Sequence, residues 1–574
     1  MATGSPHVIL ARRNAFAHVQ PDHDVAIIGS GFAGAALAAI LARQGLDVVV
    51  LEASAHPRFA IGESMILETG ETLRALAALY DVPELAYFSA EPYPPLAGSS
   101  HGVKRHFGFL HHGADGHHDP ADPDQTLQAV IPREPHGHEL HLYRQDADAA
   151  LVHAAVRYGA DVRQRTRVEA VRFTPDHAVV ETDAGEVRAR FVADASGPRS
   201  VLVRQLGLAP EAPDLHTHSR ALFTHVVDLA PQGRTAHRLP FRMDEGTVHH
   251  VFPGGWLWMI PFGNHRRATN PLTSVGLLLD PRMWPDRPDL TPEDEVRDVI
   301  ARFPAVRSAL GGTRPVRAWT RTGRIQHRPT QTVGDRWALI GLAAGFVDPL
   351  YSKGLYASLH SVALLADALL GARRADGRVG TVDPAALSTL EAAQRRFLDA
   401  NDEIVAASYA SWAHAELWKP VSVLWLLGAY TEFSRLLALR CETKDPAAYT
   451  EGLARLGLTG GGYRAFQDLS RRLTQRVLAT DTSDSAAVSA SSRHLHGALE
   501  ALDWMPAEFR DVLRGRTHLR RSKLRLPEFA RRGGVLGTGA FREAVYGSLS
   551  LASLSRFMIA DKLRYMRPAR ASAT

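Results

Sequence analysis

Residues Asp24 to Glu52 constrain the fold more than any other stretch of this 574-residue chain. Asp24-Val-Ala-Ile-Ile is an apolar run of strand formers. Gly29-Ser-Gly31-Phe32-Ala33-Gly34 follows, then an Ala/Leu-rich segment to Gly45, a second apolar run from Val48, and an acid at Glu52. The order is strand, glycine turn, helix, strand. A bare Gly-x-Gly-x-x-Gly carries little information. This one sits between a strand and a helix, with an acid 18 residues beyond its last glycine, which is the context a dinucleotide needs. Gly29 makes the turn, Gly31 admits a pyrophosphate at the helix N-terminus, Gly34 lets helix and strand pack closely, and Glu52 accepts from ribose hydroxyls. Phe32, Ala33 and Ala53 line the same site. The other reading is a purely structural βαβ unit.

Beyond this unit the pattern is first mixed and then helical. Leu67 to Tyr80 reads as a helix. Residues 85–135 read as loop around a strand edge, His101 to Leu110, which carries Lys104. His106, His111, His112, His117 and His118 have irregular spacing and no carboxylate pattern beside them, so they read as a solvated loop with no metal site. Asp146 is a candidate N-cap for the helix Ala149 to Tyr158. Strands at 161–173, 177–182 and 187–194 follow, the last ending in Asp194-Ala195-Ser196-Gly197.

Period-2 alternation then marks Ala221–Val227, Thr247–Phe252, Trp256–Phe262 and Ser274–Leu279 as antiparallel strands. A helix at 292–303, a strand at Arg314–Thr320 and a last parallel strand, Trp337–Ile340, lead through Gly341 into a helix from Leu355. After about residue 380 the strands stop, and Thr389–Ala413, Val421–Leu439 and 463–477 read as helices, with more between Leu499 and Tyr565. The expected division is a tail at 1–22, an α/β module at 23–380 with an interleaved substrate sheet (about 85–135 and 215–325), and a helical C-terminal domain at 381–574.

Two further stretches give the module a chemistry. Phe252-Pro-Gly-Gly-Trp256-Leu-Trp258-Met-Ile260-Pro261-Phe262 reads by itself as one face of a core strand. Phe346-Val-Asp348-Pro349-Leu-Tyr351-Ser352-Lys353-Gly354 lies about 90 residues later. Trp-x-Trp-x-Ile-Pro and Phe-x-x-Pro-x-x-Ser-x-Gly, downstream of the glycine fingerprint, resemble the flavin-dependent halogenases over roughly residues 24 to 370. The resemblance implies an FAD-binding, Rossmann-like module of the flavin monooxygenase type with an antiparallel substrate sheet.

Under that resemblance Arg58, Ile61, Gly62, Glu63 and Ser64 form the loop that lies against the flavin, although Glu63 or Ser64 also reads as an ordinary helix start. Arg144 fixes FAD phosphate or ribityl groups, or pairs with Asp148. Asp194, Ala195 and Ser196 make a second flavin contact, where aromatic hydroxylases carry Asp-Gly. Gly341, Phe346, Asp348 and Pro349 turn over the flavin. Gly341-Leu342 replaces the Gly-Asp of many relatives, as it does in tryptophan halogenases.

The implied reaction needs reduced FAD, O2 and chloride or bromide, and makes hypohalous acid that travels to a lysine. Ser352, Lys353 and Gly354 form the halide turn, because adjacent amides make an anion nest. Trp256, Trp258, Ile260 and Pro261 wall the flavin from the organic substrate. Lys104, in Val103-Lys104-Arg-His-Phe107-Gly-Phe109, stands where the family carries its essential lysine, and otherwise reads as a surface lysine at a sheet edge. It either hydrogen-bonds the oxidant or becomes a chloramine. Burial lowers an amine's pKa and supplies more of its nucleophilic form. Lys353 is the other lysine within a motif, and it faces the halide turn.

Tryptophan halogenases carry a carboxylate where this chain has Tyr351, and a phenol is no general base near neutral pH. A phenolic or polyketide-type aromatic is therefore expected, free or tethered to a carrier protein. The competing classes are an FAD aromatic hydroxylase and a non-enzymatic flavoprotein.

Composition sets the remaining bounds. A charged fraction of 22%, a net charge of +5 and no like-charge run give no footprint for nucleic acid. The single cysteine, Cys441, excludes an intramolecular disulfide framework and fits a reducing cytoplasm. Val421–Leu439 contains Glu432 and Arg435 and is too polar to span a bilayer. No second nucleotide fingerprint is present, so a separate NAD(P)H-dependent flavin reductase is expected, and the C-terminal helices are candidates for cavity cover and homodimer packing. Lysine is rare, at 6 residues against 60 arginines.

Overall fold

The computed structural model describes residues 22–91, 98–133, 136–211, 214–233, 239–456, 461–519 and 539–566. The expected tail lies outside the described residues except for Asp22. The chain opens with β1 (His23–Ile28), α1 (Phe32–Arg43) and β2 (Val48–Glu52), then α2 (Leu67–Leu79) and the short α3 (Pro83–Tyr87). Next come β3 (Gly102–Lys104), β4 (His106–His111), β5 (Thr126–Val130), β6 (Glu139–His141), α4 (Arg144–Arg157), β7 (Asp161–Gln164), β8 (Val168–Phe173), β9 (Ala178–Thr182), β10 (Gly185–Asp194) and α5 (Val201–Gln205).

The middle of the chain contributes β11 (Arg220–Val227), β12 (Thr247–Phe252), β13 (Gly255–Pro261), β14 (Thr273–Leu279), α6 (Pro292–Ala301), α7 (Pro304–Leu310), β15 (Arg314–Pro315), β16 (Thr320–Arg324), β17 (Val333–Gly334), β18 (Trp337–Leu339) and α8 (Gly354–Gly371). The remainder is α9 (Pro384–Ser411), α10 (Ala415–Glu442), α11 (Pro446–Ala454), α12 (Arg464–Leu478), α13 (Ser485–Glu500), α14 (Ala507–Leu513), β19 (His518–Leu519), α15 (Gly539–Tyr546) and α16 (Leu551–Met566).

One sheet runs β17-β18-β10-β1-β2-β7, with β9 beside β10 and β8 beside β9. From β18 to β7 its pairs are parallel. A parallel sheet is covered on both faces, so its central strands read as unbroken apolar runs. In β1, Val25 and Ile27 face the core shared with α1, while Ala26 and Ile28 face a second core with β8 and β9.

The second sheet has nine strands, β15-β11-β14-β13-β12-β4-β5-β19 with β16 also on β11. It is antiparallel except where β12 meets β4 and β5 meets β19. Alternation sends Trp256, Trp258 and Ile260 into the large core and Leu257 and Met259 onto α6 and α7. The helices beyond residue 380 share that large core, and β19 reaches back to extend the sheet.

Several local readings need correction. β4 is a fully buried strand, so His106, His111 and His112 are interior groups, not a solvated loop. Each is hydrogen-bonded, to the Arg242 and Trp412 carbonyls and to His250 respectively. Burial pushes their pKa values down to about 4, 4 and 3. The helix after Leu142 starts two residues before Asp146, which bonds Ser100 and caps nothing. The expected 292–303 helix is α6, followed at Pro304 by a further helix, α7, that was not expected, and the expected 314–320 strand is two short ones. Helix α10 begins before Pro420. Proline has no N–H for the Glu416 carbonyl, and Ser492 Oγ donates to that carbonyl instead. Among the described residues α8 alone is long and apolar enough to cross a membrane, and it is mostly buried inside the fold.

Candidate functional site

The glycine turn is built as close approach requires. Gly29 adopts φ +92°, and a Cβ there would fall 2.9 Å from the Ala195 carbonyl oxygen and the Ser196 Cα. A Cβ on Gly34 would lie 2.1 Å from the Gly29 oxygen. Only Gly31 opens outward, its nearest neighbour being Arg58 Nη2 at 3.5 Å. Phe32 is buried under Arg144, and Gly341 packs on Ala33. Glu52 ends β2 and accepts from the Ser30 amide (3.0 Å), Ser30 Oγ (2.8 Å), the Ser54 amide (2.9 Å) and Arg58 (3.3 Å). Burial opposes its ionisation, but the Ser30 amide, Arg58 and the Ser54 amide outweigh it and hold its pKa below the usual range. Ala53 follows, exposed.

The Gly62 loop is held from both sides. Arg144 forks Asp148 through Nε and Nη2, and its Nη1 donates to the Ile61 and Gly62 carbonyls. Most of its donors are thus engaged in pairing with Asp148 and shaping the loop. Glu63 and Ser64 do not start a helix, since α2 is capped at Ile66. Glu63 bonds His225 of β11 at 2.7 Å, a partner 162 residues away in sequence. Ser64 bonds Thr247, which bonds His141, which reaches the Pro261 carbonyl. The loop is therefore tied to the end of the tryptophan strand. Asp194 is likewise engaged: it accepts from the Ser196 amide and hydroxyl, Ser200 Oγ and the Leu202 amide, and so shapes the turn after β10.

The two tryptophans form a fixed wall. Trp256 is 1% exposed, and its Nε1 donates to Tyr409 Oη at 3.1 Å. Trp258 Nε1 donates to Ser274 Oγ, and its indole lies over Gly276, where any side chain would collide. Ile260 packs on the same face. Tyr409 in turn donates to Asp348, which also accepts from Ser219 and the Leu350 amide. Asp348 is therefore bound to the residues that hold Trp256. Its burial pushes its pKa up to about 7. Phe346 pairs with His327 through both backbone groups.

The wall, the lysine and the Ser352 turn converge. Lys104 has no exposed surface. Its Nζ donates to the Met65 carbonyl at 2.8 Å and to Ser352 Oγ at 3.3 Å, and lies 3.3 Å above the Phe107 ring centroid. Burial drives its pKa well below the ordinary lysine value. Ser352 takes φ +57°, a left-handed conformation uncommon for a serine, and its amide donates to the Pro349 carbonyl. The Lys353 and Gly354 amides stand at the head of α8, where helix geometry leaves N–H groups open. The Lys353 side chain is taken by Glu68 at 2.6 Å, so Lys104 is the lysine of the two without a carboxylate bond.

Around Lys104 the aromatic rings of five segments meet. Phe107 meets Trp425 at 5.1 Å, Tyr351 stacks on Trp425 at 4.2 Å, and His249 lies between Phe109 and Trp256. Sequence reasoning missed His225, Tyr409, Trp425 and Glu139. No local pattern marks the first two. A tryptophan on an apolar helix reads only as core.

Residues 22–396 match the family model for an FAD binding domain. The chain is 42% identical over 435 residues to the tetracycline 7-halogenase of Kitasatospora aureofaciens, covering 75% of this chain and 77% of that one. It is 40% identical over 432 residues to the monodechloroaminopyrrolnitrin halogenase PrnC of Pseudomonas fluorescens, covering 73% of each. Among solved structures, halogenase PltM in complex with phloroglucinol and FAD aligns with a TM-score of 0.79 at 30% identity, covering 86% of this chain and 99% of that one. The cradle suits FAD: Gly31 leaves room at the head of α1, and the Glu52 carboxylate is held ionised at the end of β2.

Proposed function

Because this chain belongs to the flavin-dependent halogenases, we propose that it halogenates a free, electron-rich aromatic of the phenol or polyketide type, with Lys104 delivering the halogen. The observation that carries the reading is the meeting of Lys104 and Ser352, 248 residues apart in sequence and 3.3 Å apart in space. The Gly29–Gly34 cradle, Glu52 and the Gly62 loop would hold reduced FAD, supplied by a separate NAD(P)H-dependent reductase. When bound it would give O2 two electrons, and chloride or bromide would give the other two and become hypohalous acid. The open amides of Lys353 and Gly354 bind the halide, and Ser352 orients their turn. Trp256, Trp258, Ile260 and Pro261 keep the aromatic from the flavin, so oxygen is not transferred to it directly. Lys104 receives the hypohalous acid because its amine already touches the turn, and its burial excludes the water that would compete.

Position 351 supports the substrate class. The Tyr351 hydroxyl bonds Ser408, and burial raises its pKa further. It offers no base to the ring, so the ring must stabilise its own cationic intermediate, as a phenol does. The relative named for tetracycline and the phloroglucinol complex support this reading. The test supplies FAD, a flavin reductase, NADH and chloride or bromide, first with monochlorodimedone and then with a panel of phenols and tryptophan. Halide-dependent products from phenols and none from tryptophan are expected. Peroxide alone with every free arene, but product with an acyl-arene on a carrier protein, would overturn the free-substrate reading.

A further inference from the structure

Across the β3–β6 ladder, Lys104 stands opposite Glu139. Residues directly opposite in an antiparallel pair project to the same face. Here that face is covered by α2. The Lys104 amine reaches the Met65 carbonyl just before this helix, and the Glu139 carboxyl lies against Gly70 within it. A Cβ on Gly70 would fall 2.9 Å from Glu139 Oε2 and 3.1 Å from Oε1, so glycine makes the room this carboxyl occupies. Glu139 is 1% exposed, and its Oε2 has no hydrogen-bond partner among the described residues.

The neighbouring charges are matched elsewhere. Glu68 of α2 holds Lys353 of α8 at 2.6 Å, and Glu71 of α2 holds Arg74 of α2 and Arg440 of α10. His106, His141 and His249, from β4, β6 and β12, are kept neutral by burial, with pKa values of about 4, 3 and 3. A buried carboxylate without a partner is costly, and so is a buried ammonium without a counter-charge.

We propose that Glu139 is the counter-charge of Lys104, a positioning residue that sets the protonation state of the lysine and holds it as an ammonium ready to donate to the oxidant. Two donors of that ammonium go to Met65 and Ser352, its charge faces the Phe107 ring, and the third N–H is left for hypohalous acid. No hydrogen bond joins the two groups, so Glu139 acts on the lysine through its charge across the ladder. Burial pushes the lysine down and the glutamate up, to about 8; against that push, Glu139 is the first charge acting on Lys104, and Lys104 acts on Glu139 after Arg74.

The inference rests on the reading of Lys104 above for its catalytic meaning, but it is tested apart from it. The FAD-loaded protein is labelled at the lysine ε-carbons, and the Lys104 resonance is the one missing in Lys104→Met. In Glu139→Gln the Lys104 titration midpoint should fall by about one pH unit or more, the size of a lost opposite charge nearby. In Glu139→Asp, which keeps the charge, it should stay near the wild-type value. The halogenation pH profile should move with the resonance.

An unmoved midpoint in Glu139→Gln overturns the proposal. Should Glu139→Gln fail to retain FAD, the reciprocal measurement decides. Isotope-edited infrared spectra should show the Glu139 carboxyl ionising at higher pH in Lys104→Met than in wild type, and an unchanged ionisation overturns the pairing. Normal halogenation by Lys104→Met would instead remove the role of Lys104 and leave the pairing standing.

Discussion

Replacing Tyr409 by phenylalanine tests the wall proposed to separate the flavin from the aromatic. The phenol oxygen accepts from Trp256 Nε1 at 3.1 Å and donates to Asp348 at 3.0 Å, and both partners are 1% exposed. Losing it leaves a buried indole N–H without an acceptor, at about 1–3 kcal/mol, and removes one donor from a buried carboxyl. The second effect depends on pH. The folded pKa of Asp348, about 7, lies above its unfolded value of about 3.9. The native state therefore binds more protons than the unfolded state between about pH 4 and pH 7, and this group's contribution to stability falls as pH rises through that window.

Removing a donor to the ionised form raises the folded pKa again. One further unit makes the variant worse at pH 8 than at pH 5 by about 1 kcal/mol. The assay is thermal unfolding of the FAD-loaded protein at both pH values, with product formed per O2 consumed measured in parallel. The expected result is a larger drop in midpoint at pH 8 than at pH 5, and a lower product yield as the wall loosens. Equal drops at the two pH values would refute the argument that Asp348 is held through Tyr409.

Three other outcomes follow from the same geometry. Lys104→Met should lower halogenation by about 10²–10⁴-fold, the usual worth of a positioned proton-transfer group, while FAD affinity is retained; product mass spectrometry and flavin fluorescence read the two. Glu52→Ala should weaken FAD binding by about 1–3 kcal/mol for a lost charged hydrogen bond, and an unchanged affinity in a fluorescence titration would show that Glu52 is not the ribose acceptor. Gly34→Ala places a Cβ 2.1 Å from the Gly29 oxygen, so α1 must shift off β1, and the purified protein should elute without flavin.

The central strands of both sheets were legible because burial follows a simple period in each. Thr247–Phe252 coincides with the expected strand, and β13 and β14 each begin one residue earlier than expected, because alternate residues face two different cores. The glycine turn was legible because each glycine answers a separate steric demand. β4 was not legible. Its histidines look polar in sequence, yet burial holds them neutral, and they pack as interior rings. The loop bonds of Arg144 and Asp194 were less legible, because a side chain that shapes a loop and one that grips a ligand leave the same mark in a sequence. Glu63 gave no sign of His225, since that bond joins two segments that meet only after the sheets assemble.

The helical third of the chain shows the same limit and also explains its cause. Tyr409 and Ser408 of α9 hold the wall through Trp256 and the turn through Tyr351, and Trp425 of α10 stacks on Tyr351 and closes over Phe107 beside the lysine. None of these residues has a motif, because each acts on a group supplied by another segment, and a hydroxyl or an indole on an apolar helix is indistinguishable from ordinary core until its partner is known. The sheets thus carry the proposed site residues, and the helices fix their orientation. A substitution in α9 or α10 can therefore alter halogenation without touching any residue that sequence reasoning had assigned to the site, and the shape of the space offered to the aromatic belongs as much to those helices as to the strands that carry Lys104 and the two tryptophans.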